Sequence, residues 1–358
     1  MRIELSFHSV YGAIMALEQG QVTFRQGGQK MFELQKAVCL GRRALAVGFA
    51  AMALPVLAFD ASAQDYPNDT IEITVAYAPG GSTDLVARAL ADELGKVIGA
   101  PVIVENKPGG GTLVGTQYVA NAKADGYRLL FGTNALVINS LLQKVSYDPV
   151  DSFADVGIVT TQSLGVIARP DLPVNSVKEL IEYAKARPGE LNFASSGNGS
   201  NQHMAGEQFK LMAGVDMLHV PYGGAGPALT DLLGGRVDLM FTSLYGITDY
   251  ISSGKLKLIA TTGETRSPAT PDTSTVIEGG LPGFTAVSWQ ALFAPADTPE
   301  SVIAKLNKAL VDISTPELAE KFAAQGLELK ISAPAEANTL LVNERDRYND
   351  IIKSIGSK

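Results

Sequence analysis

The chain is 358 residues long, 46% hydrophobic and 18% charged, with a formal net charge of −8. That length supports two domains with cores of their own, and that composition excludes a disordered or low-complexity protein. The acidic balance argues against nucleic acid as a partner; one cysteine (Cys39) rules out an internal disulfide, and three scattered histidines (His8, His203, His219) argue against a metal centre.

In chain order, the first signal is "KAVCLGRRALAVGFAAMALPVLAFDASAQ". Lys36, Arg42 and Arg43 precede an apolar run from Ala44 to Phe59, and Ala61-Ser62-Ala63 follows it. This is the order of a secretory signal, with cleavage expected before Gln64 and export to the periplasm. The run contains Pro55 and is short for a membrane span. Residues 1–30 lie ahead of the basic stretch, and Met31 is the better start. Sec and twin-arginine export both remain open.

From Ile71 onward, strand and helix signals alternate. "IEITVAYA" reads as a strand, and Val86, Leu90, Leu94 and Val97 then share one helical face. "PVIVENK" is a second strand, "GGGTLVGTQYVANA" a glycine turn entering a helix, and "YRLLFGT" a third strand. A second series follows Pro173: helix "SVKELIEYAKA", strand "LNFASS", a helix from Ser200 to Met212, strand "DMLHVPY", helix "PALTDLLGG" and strand "VDLMFTS". "KLKLIATTG" and "VSWQALFAP" come next, then helices near Pro299, Pro316 and Pro334 with "LELKI" between the last two. Such alternation predicts parallel α/β layers. The extended stretches Asp155–Pro170 and Phe284–Pro295 read as crossings between two lobes. Lobe 1 is then 66–165 plus 286–358, and lobe 2 is 166–285.

Four strand-to-helix junctions repeat one chemistry: "APGGSTD", "GTNA", "ASSGNGSNQH" and "YGGAGPA". Glycine lets backbone approach a ligand, and the unpaired N–H groups of a helix's first turn bind carboxylate or phosphate without a cation. In open α/β sheets such turns lie at the ligand end of the strands. Any one of them is equally a plain connection, with Ser82 or Ser200 as a helix cap. Recurrence in both series favours a shared anion site.

Enzyme and cofactor motifs are missing: there is no G-x-S-x-G, no P-loop lysine and no dinucleotide fingerprint, so no cofactor is expected. Ser200 and His203 lie three apart on one helix face, which keeps a secreted hydrolase as the alternative. His203 otherwise reads as a helix-face residue and His219 as a core residue. Asp84, in a first helical turn, reads first as structural and second as a contact for a substrate amine. Tyr222 and Trp289 suit packing as well as a cleft wall.

These residues resemble the substrate-binding proteins of tripartite tricarboxylate transporters, the Bug receptors. "PGGSTDLVARALADEL", "VIVENKPGGGTLVGTQYVANAKADGYRLLFGT", "NFASSGNGSNQHMAGEQF" and "VPYGGAGPALTDLLGGRVDLMF" carry the resemblance, which runs from Tyr66 to the C-terminus. It implies a type II periplasmic-binding-protein fold, two α/β lobes with a ligand cleft between them, no catalysis, and a small di- or tricarboxylate-type ligand. The implied partners are membrane transporter subunits or a sensor protein, with the receptor itself a monomer. The implied contacts in lobe 1 are Tyr77, Ala78, Pro79, Gly80, Gly81, Ser82, Thr83, Asp84, Thr133 and Asn134. In lobe 2 they are Ser195, Ser196, Gly197, Ser200, His203, Tyr222, Gly223, Gly224, Gly226, Asp238 and Ser243. Gly223 stands where many relatives have lysine, which lowers the positive charge near the site.

Overall fold

A computed structural model describes residues 66–356. The expected signal segment, the start at Met31 and the cleavage before Gln64 lie outside the described residues. The elements run β1 (Ile71–Val75), α1 (Ser82–Ile98), β2 (Val102–Asn106), a 3-10 turn (Gly110–Thr112), α2 (Leu113–Ala120), β3 (Arg128–Thr133), α3 (Ala135–Leu142) and β4 (Phe153–Ser163). Next come β5 (Gly165–Ala168), α4 (Val177–Ala186), β6 (Asn192–Ser195), α5 (Asn201–Ala213), β7 (Leu218–Pro221), α6 (Ala225–Leu233), β8 (Leu239–Thr242), α7 (Thr248–Ser252) and β9 (Lys257–Thr261). The chain closes with β10 (Val287–Pro295), α8 (Glu300–Asp312), α9 (Pro316–Ala323), β11 (Glu328–Leu329) and α10 (Pro334–Gly356).

Two sheets result, in the orders β11-β4-β10-β3-β1-β2 and β7-β6-β8-β5-β9. Both belong to the compact unit that begins at Asp65. Central strands such as β1 are buried on both faces, because helices cover both sides of a parallel sheet. Val86, Leu90 and Leu94 seat α1 against the first sheet, with Gly99 in the left-handed conformation ending the helix. Val97, expected on that face, is 46% exposed, and Ile98 packs against the core at the helix end. The second sheet has its own core, built on Phe193, Phe209, Phe241 and Phe284.

The expected parallel layering holds for β1, β2 and β3 and for β6, β7 and β8. Both sheets are nevertheless mixed. β10 runs antiparallel to β3 and β4, and β5 runs antiparallel to β8 and β9. The reason is topological: a strand arriving from the other sheet enters at the cleft, where the parallel strands end, and must run against them.

The two crossings lie side by side. Ser163 at the end of β4 is the register partner of Val287 at the start of β10. Thr262 stitches them together, donating its N–H to Leu164 O (2.8 Å) and its hydroxyl to Ala286 O (2.6 Å). α10 packs against β4, α3 and α5 and so touches the layers of both sheets.

Candidate functional site

β1, β3, β6 and β8 all end at the cleft, so the turns after them converge there. Gly81 precedes α1 and Gly224 precedes α6, both without a side-chain cap, so the first-turn N–H groups of two helices look into the cleft. The two starts touch. A Cβ on Gly81 would lie 3.2 Å from the Ala225 Cβ, and one on Gly226 would lie 2.5 Å from Pro79 O. Close approach therefore requires glycine at 226 and leaves little room for a side chain at 81. Ala78 N–H donates to Gly223 O across the cleft at 2.8 Å. The turn residues Ala78, Pro79 and Gly80 thus meet Gly223, Gly224 and Gly226 as a lobe-to-lobe contact rather than lining the cavity behind it.

That cavity has a volume of about 30 Å³. Of the expected residues, Tyr77, Gly81, Ser82, Thr83, Asp84, Thr133, Ser196 and Ser243 line it. Its wall carries hydroxyls and amides, with no lysine or arginine among the lining residues. The Tyr77 hydroxyl shares a 2.9 Å hydrogen bond with Thr133 Oγ1. Burial pushes that phenol up to about 12, and hydrogen bonds with Thr133 and Ser196 partly oppose it. Gln202 Oε1 accepts the Ser196 N–H at 2.8 Å, and its amide donates to Thr242 Oγ1.

Asp84 is the one carboxylate in the wall, and its oxygens are engaged. Oδ2 accepts the Gly80 N–H at 3.0 Å, while Oδ1 accepts Asn106 Nδ2 at 2.9 Å and Arg88 Nη2 at 2.8 Å. Burial raises its pKa, but hydrogen bonds from Arg88, Gly80 and Asn106 outweigh that and hold it below the ordinary carboxylate value. Asp84 orders the turn that carries Gly80 and Gly81, in line with the structural reading of its role.

Other expected contacts sit elsewhere, each with its own task. Asn134 is fully buried: its Nδ2 donates to Glu344 Oε2 at 2.8 Å, and its Oδ1 accepts the Trp289 N–H at 3.1 Å. Trp289 is core, with Nε1 donating to Glu344. Ser200 caps α5, its Oγ accepting the His203 N–H at 3.2 Å and donating to Gly197 O at 2.7 Å. The His203 ring accepts the Gly199 N–H and stacks on His219, with centroids 4.1 Å apart. Ser200 and the His203 ring share no hydrogen bond, so the pair lacks the contact a hydrolase needs. Ser195 Oγ lies 2.7 Å from His219 Nε2 and bonds the Gly197 backbone, which locks the turn beneath Ser196. Asp238 accepts from Arg169 Nε and from the Asn192 N–H, both at 2.9 Å, behind the strands. The Tyr222 hydroxyl donates to Asp231 at 2.8 Å.

The cavity also recruits residues that sequence reasoning passed over: Gln162, Leu164, Asn201, Gln202, Ala225, Ser288 and Gln290. Gln290 Oε1 accepts the Thr160 hydroxyl at 2.8 Å, and Gln162 Oε1 accepts the Ser243 hydroxyl. The available signal was a lone amide in each of the two crossing strands, "VTTQSLG" and "SWQALF".

Comparison with known proteins agrees with this geometry. Residues 86–357 match the family model described as the tripartite tricarboxylate transporter family receptor. Protein BugT of Bordetella pertussis is 35% identical over 88% of this chain and 98% of its own. The solved periplasmic binding protein BugD is 36% identical with a TM-score of 0.79, covering 81% of this chain and 99% of that one. MatC of Rhodopseudomonas palustris, solved with bound malate, is 32% identical with a TM-score of 0.76, over 80% of this chain and all of its own. R. palustris Rpa4515, solved with adipate, is 31% identical with a TM-score of 0.79, over 82% and 99%. Over matches of this extent, the chain belongs to the tripartite tricarboxylate transporter receptor family of solute-binding proteins.

Proposed function

We propose that this receptor captures a small organic acid of the di- or tricarboxylate type in the periplasm and presents it to the membrane subunits of a tripartite transporter. One observation carries the reading: two bare helix starts, one from each lobe, face a wall of hydroxyls and amides without a cation. Partial positive charge at helix starts stabilises a carboxylate there, and two adjoining starts add their fields at the cavity beside them. The malate and adipate bound by two relatives are acids of this kind.

In this reading the lobes are 66–165 with 286–358, and 166–285, and the paired crossings at 163–165 and 286–287 are the hinge. The ligand favours the closed arrangement by its differential affinity. The protein begins at Gln64 after export and works as a monomer, with a sensor protein as the alternative recipient of the ligand.

Calorimetry with three- to six-carbon mono-, di- and tricarboxylates, their fully amidated analogues and their esters tests this. Carboxylates are expected to bind, full amides to fail, and no ester to be converted. Ester turnover without carboxylate binding overturns the reading.

A further inference from the structure

Four side-chain amides line the cavity: Gln162, Asn201, Gln202 and Gln290. Two of them are engaged at both ends. Asn201 accepts the Tyr348 hydroxyl and donates to Val287 O, while Gln202 accepts the Ser196 N–H and donates to Thr242 Oγ1. The other two are held by their oxygens. The Ser243 hydroxyl takes the Tyr245 N–H at 3.1 Å and gives its own hydrogen to Gln162 Oε1. The Thr160 hydroxyl gives its hydrogen to Gln290 Oε1 at 2.8 Å. With each oxygen fixed by a hydroxyl, each Nε2 must turn the other way. Gln162 Nε2 makes no hydrogen bond among the described residues, and Gln290 Nε2 reaches only Thr83 Oγ1, at a long 3.4 Å. Both residues are buried, at 6% and 1% exposure, so these donors have little bulk water to turn to.

We infer that Gln162 and Gln290 are specificity residues: their NH2 groups receive the second carboxylate of a diacid whose first carboxylate lies at the helix starts. This rests on the carboxylate reading above and deepens it. A carboxylate only accepts, at about four lone-pair sites, so it can take a hydrogen from both amides. A terminal amide offers its oxygen to one of them and sets its own NH2 against the other, which leaves a buried donor unmet. Asp84, the carboxylate in the same wall, is turned to Gly80, Asn106 and Arg88 and does not compete for these donors. One backing hydroxyl, Thr160, belongs to the first sheet, and the other, Ser243, directly follows β8 of the second. A diacid bound to both amides therefore bridges the sheets. The enclosed 30 Å³ has room for about one or two waters, so the diacid is seated with the sheets further apart around it.

Gln162→Glu tests this, because a carboxylate keeps the length of the side chain and still accepts the Ser243 hydroxyl, but presents a charged oxygen where the NH2 stood. Calorimetry compares succinate and adipate with their monoamides, succinamate and adipamate, on the native protein, Gln162→Glu and Gln162→Met, with thermal melts to establish folding. The native protein is expected to bind at least one diacid about tenfold tighter than its monoamide. Gln162→Glu should bring that ratio to one or below, since the new oxygen repels the diacid and accepts the amide N–H. Gln162→Met, with no donor, should narrow the ratio without inverting it, and Gln290→Glu carries the same inversion from the other amide. A native protein that binds a diacid no better than its monoamide overturns the assignment. Variants that weaken diacid and monoamide alike also overturn it, since a merely structural role does that. Failure of the native protein to bind any of the four probes takes down the carboxylate reading itself, which is a separate outcome.

Discussion

The two lobes meet in two places, and the two are built differently. At the mouth, contact is backbone against backbone, with Gly81 against Ala225 and Gly226 against Pro79. At the rear, contact runs through buried side chains: Tyr348 O–H donates to Asn201 Oδ1 at 2.8 Å, and Asn201 Nδ2 donates to Val287 O at 3.0 Å. Asn134 and Glu344 complete that rear network. The mouth is sensitive to the size of a side chain and indifferent to its chemistry. The rear is sensitive to chemistry, because a polar atom left there without a partner is buried.

The strongest way to break the comparison is Gly226→Val. Its Cβ falls 2.5 Å from Pro79 O, a backbone atom with no room to yield, so the helix starts cannot close on one anion. Affinity for any bound carboxylate is expected to fall at least a hundredfold, about 2.7 kcal/mol, with the unfolding midpoint little changed. Calorimetry beside thermal melting checks this. Unchanged affinity in a folded variant removes the mouth contact from the mechanism.

A smaller effect is expected at the rear. Tyr348→Phe leaves Asn201 Oδ1 without that donor and costs about 1 kcal/mol, or roughly fivefold in affinity. Asn201 lines the cavity but Tyr348 does not, so a loss of closure alone should weaken long and short acids equally. A change in ligand ranking would show that the rear network shapes the pocket instead of the closure.

The smallest effect lies beneath Ser196. Burial, then the neighbouring His203 and Lys210, lower the His219 pKa to about 3. Its folded pKa is below the unfolded value, so the unfolded chain takes up the proton first. Stability attributable to this group is full above about pH 6.5 and is lost as pH falls from there towards 3. His219→Gln, a neutral residue that can still bond Ser195, should flatten that part of the profile in urea titrations. An unaltered slope would show that His219 does not govern acid sensitivity.

Much of the fold was legible because glycine and proline punctuate runs of clear period, and β10 spans the "VSWQALFAP" read as extended. α3 was missed because "ALVINSLL" is apolar on nearly every side, and its five consecutive buried residues leave no periodicity to read. The site divided along a physical line. Turns that present backbone announce themselves through glycine, so Gly81 and Ser196, expected at the site, do line the cavity. Capping and ligand binding use the same residue types, so sequence alone does not separate them: Ser200 caps α5, and Asn134 bonds within the rear network. Gln162 and Gln290 sit on crossing strands, whose approach to the cleft depends on how two sheets are joined and not on local sequence.

The pairing of Ser163 with Val287, stitched by Thr262, has a mechanical consequence. Two strands bonded edge to edge form a ribbon that flexes readily out of its plane but resists shear within it, since shear would break the ladder between them. A joint of that kind leaves essentially one degree of freedom. In the hinge reading proposed above, the two helix starts would then travel along one arc and return to the same facing position each cycle. Surfaces so close that a Cβ added at Gly81 would lie 3.2 Å from the Ala225 Cβ need that guidance from the joint.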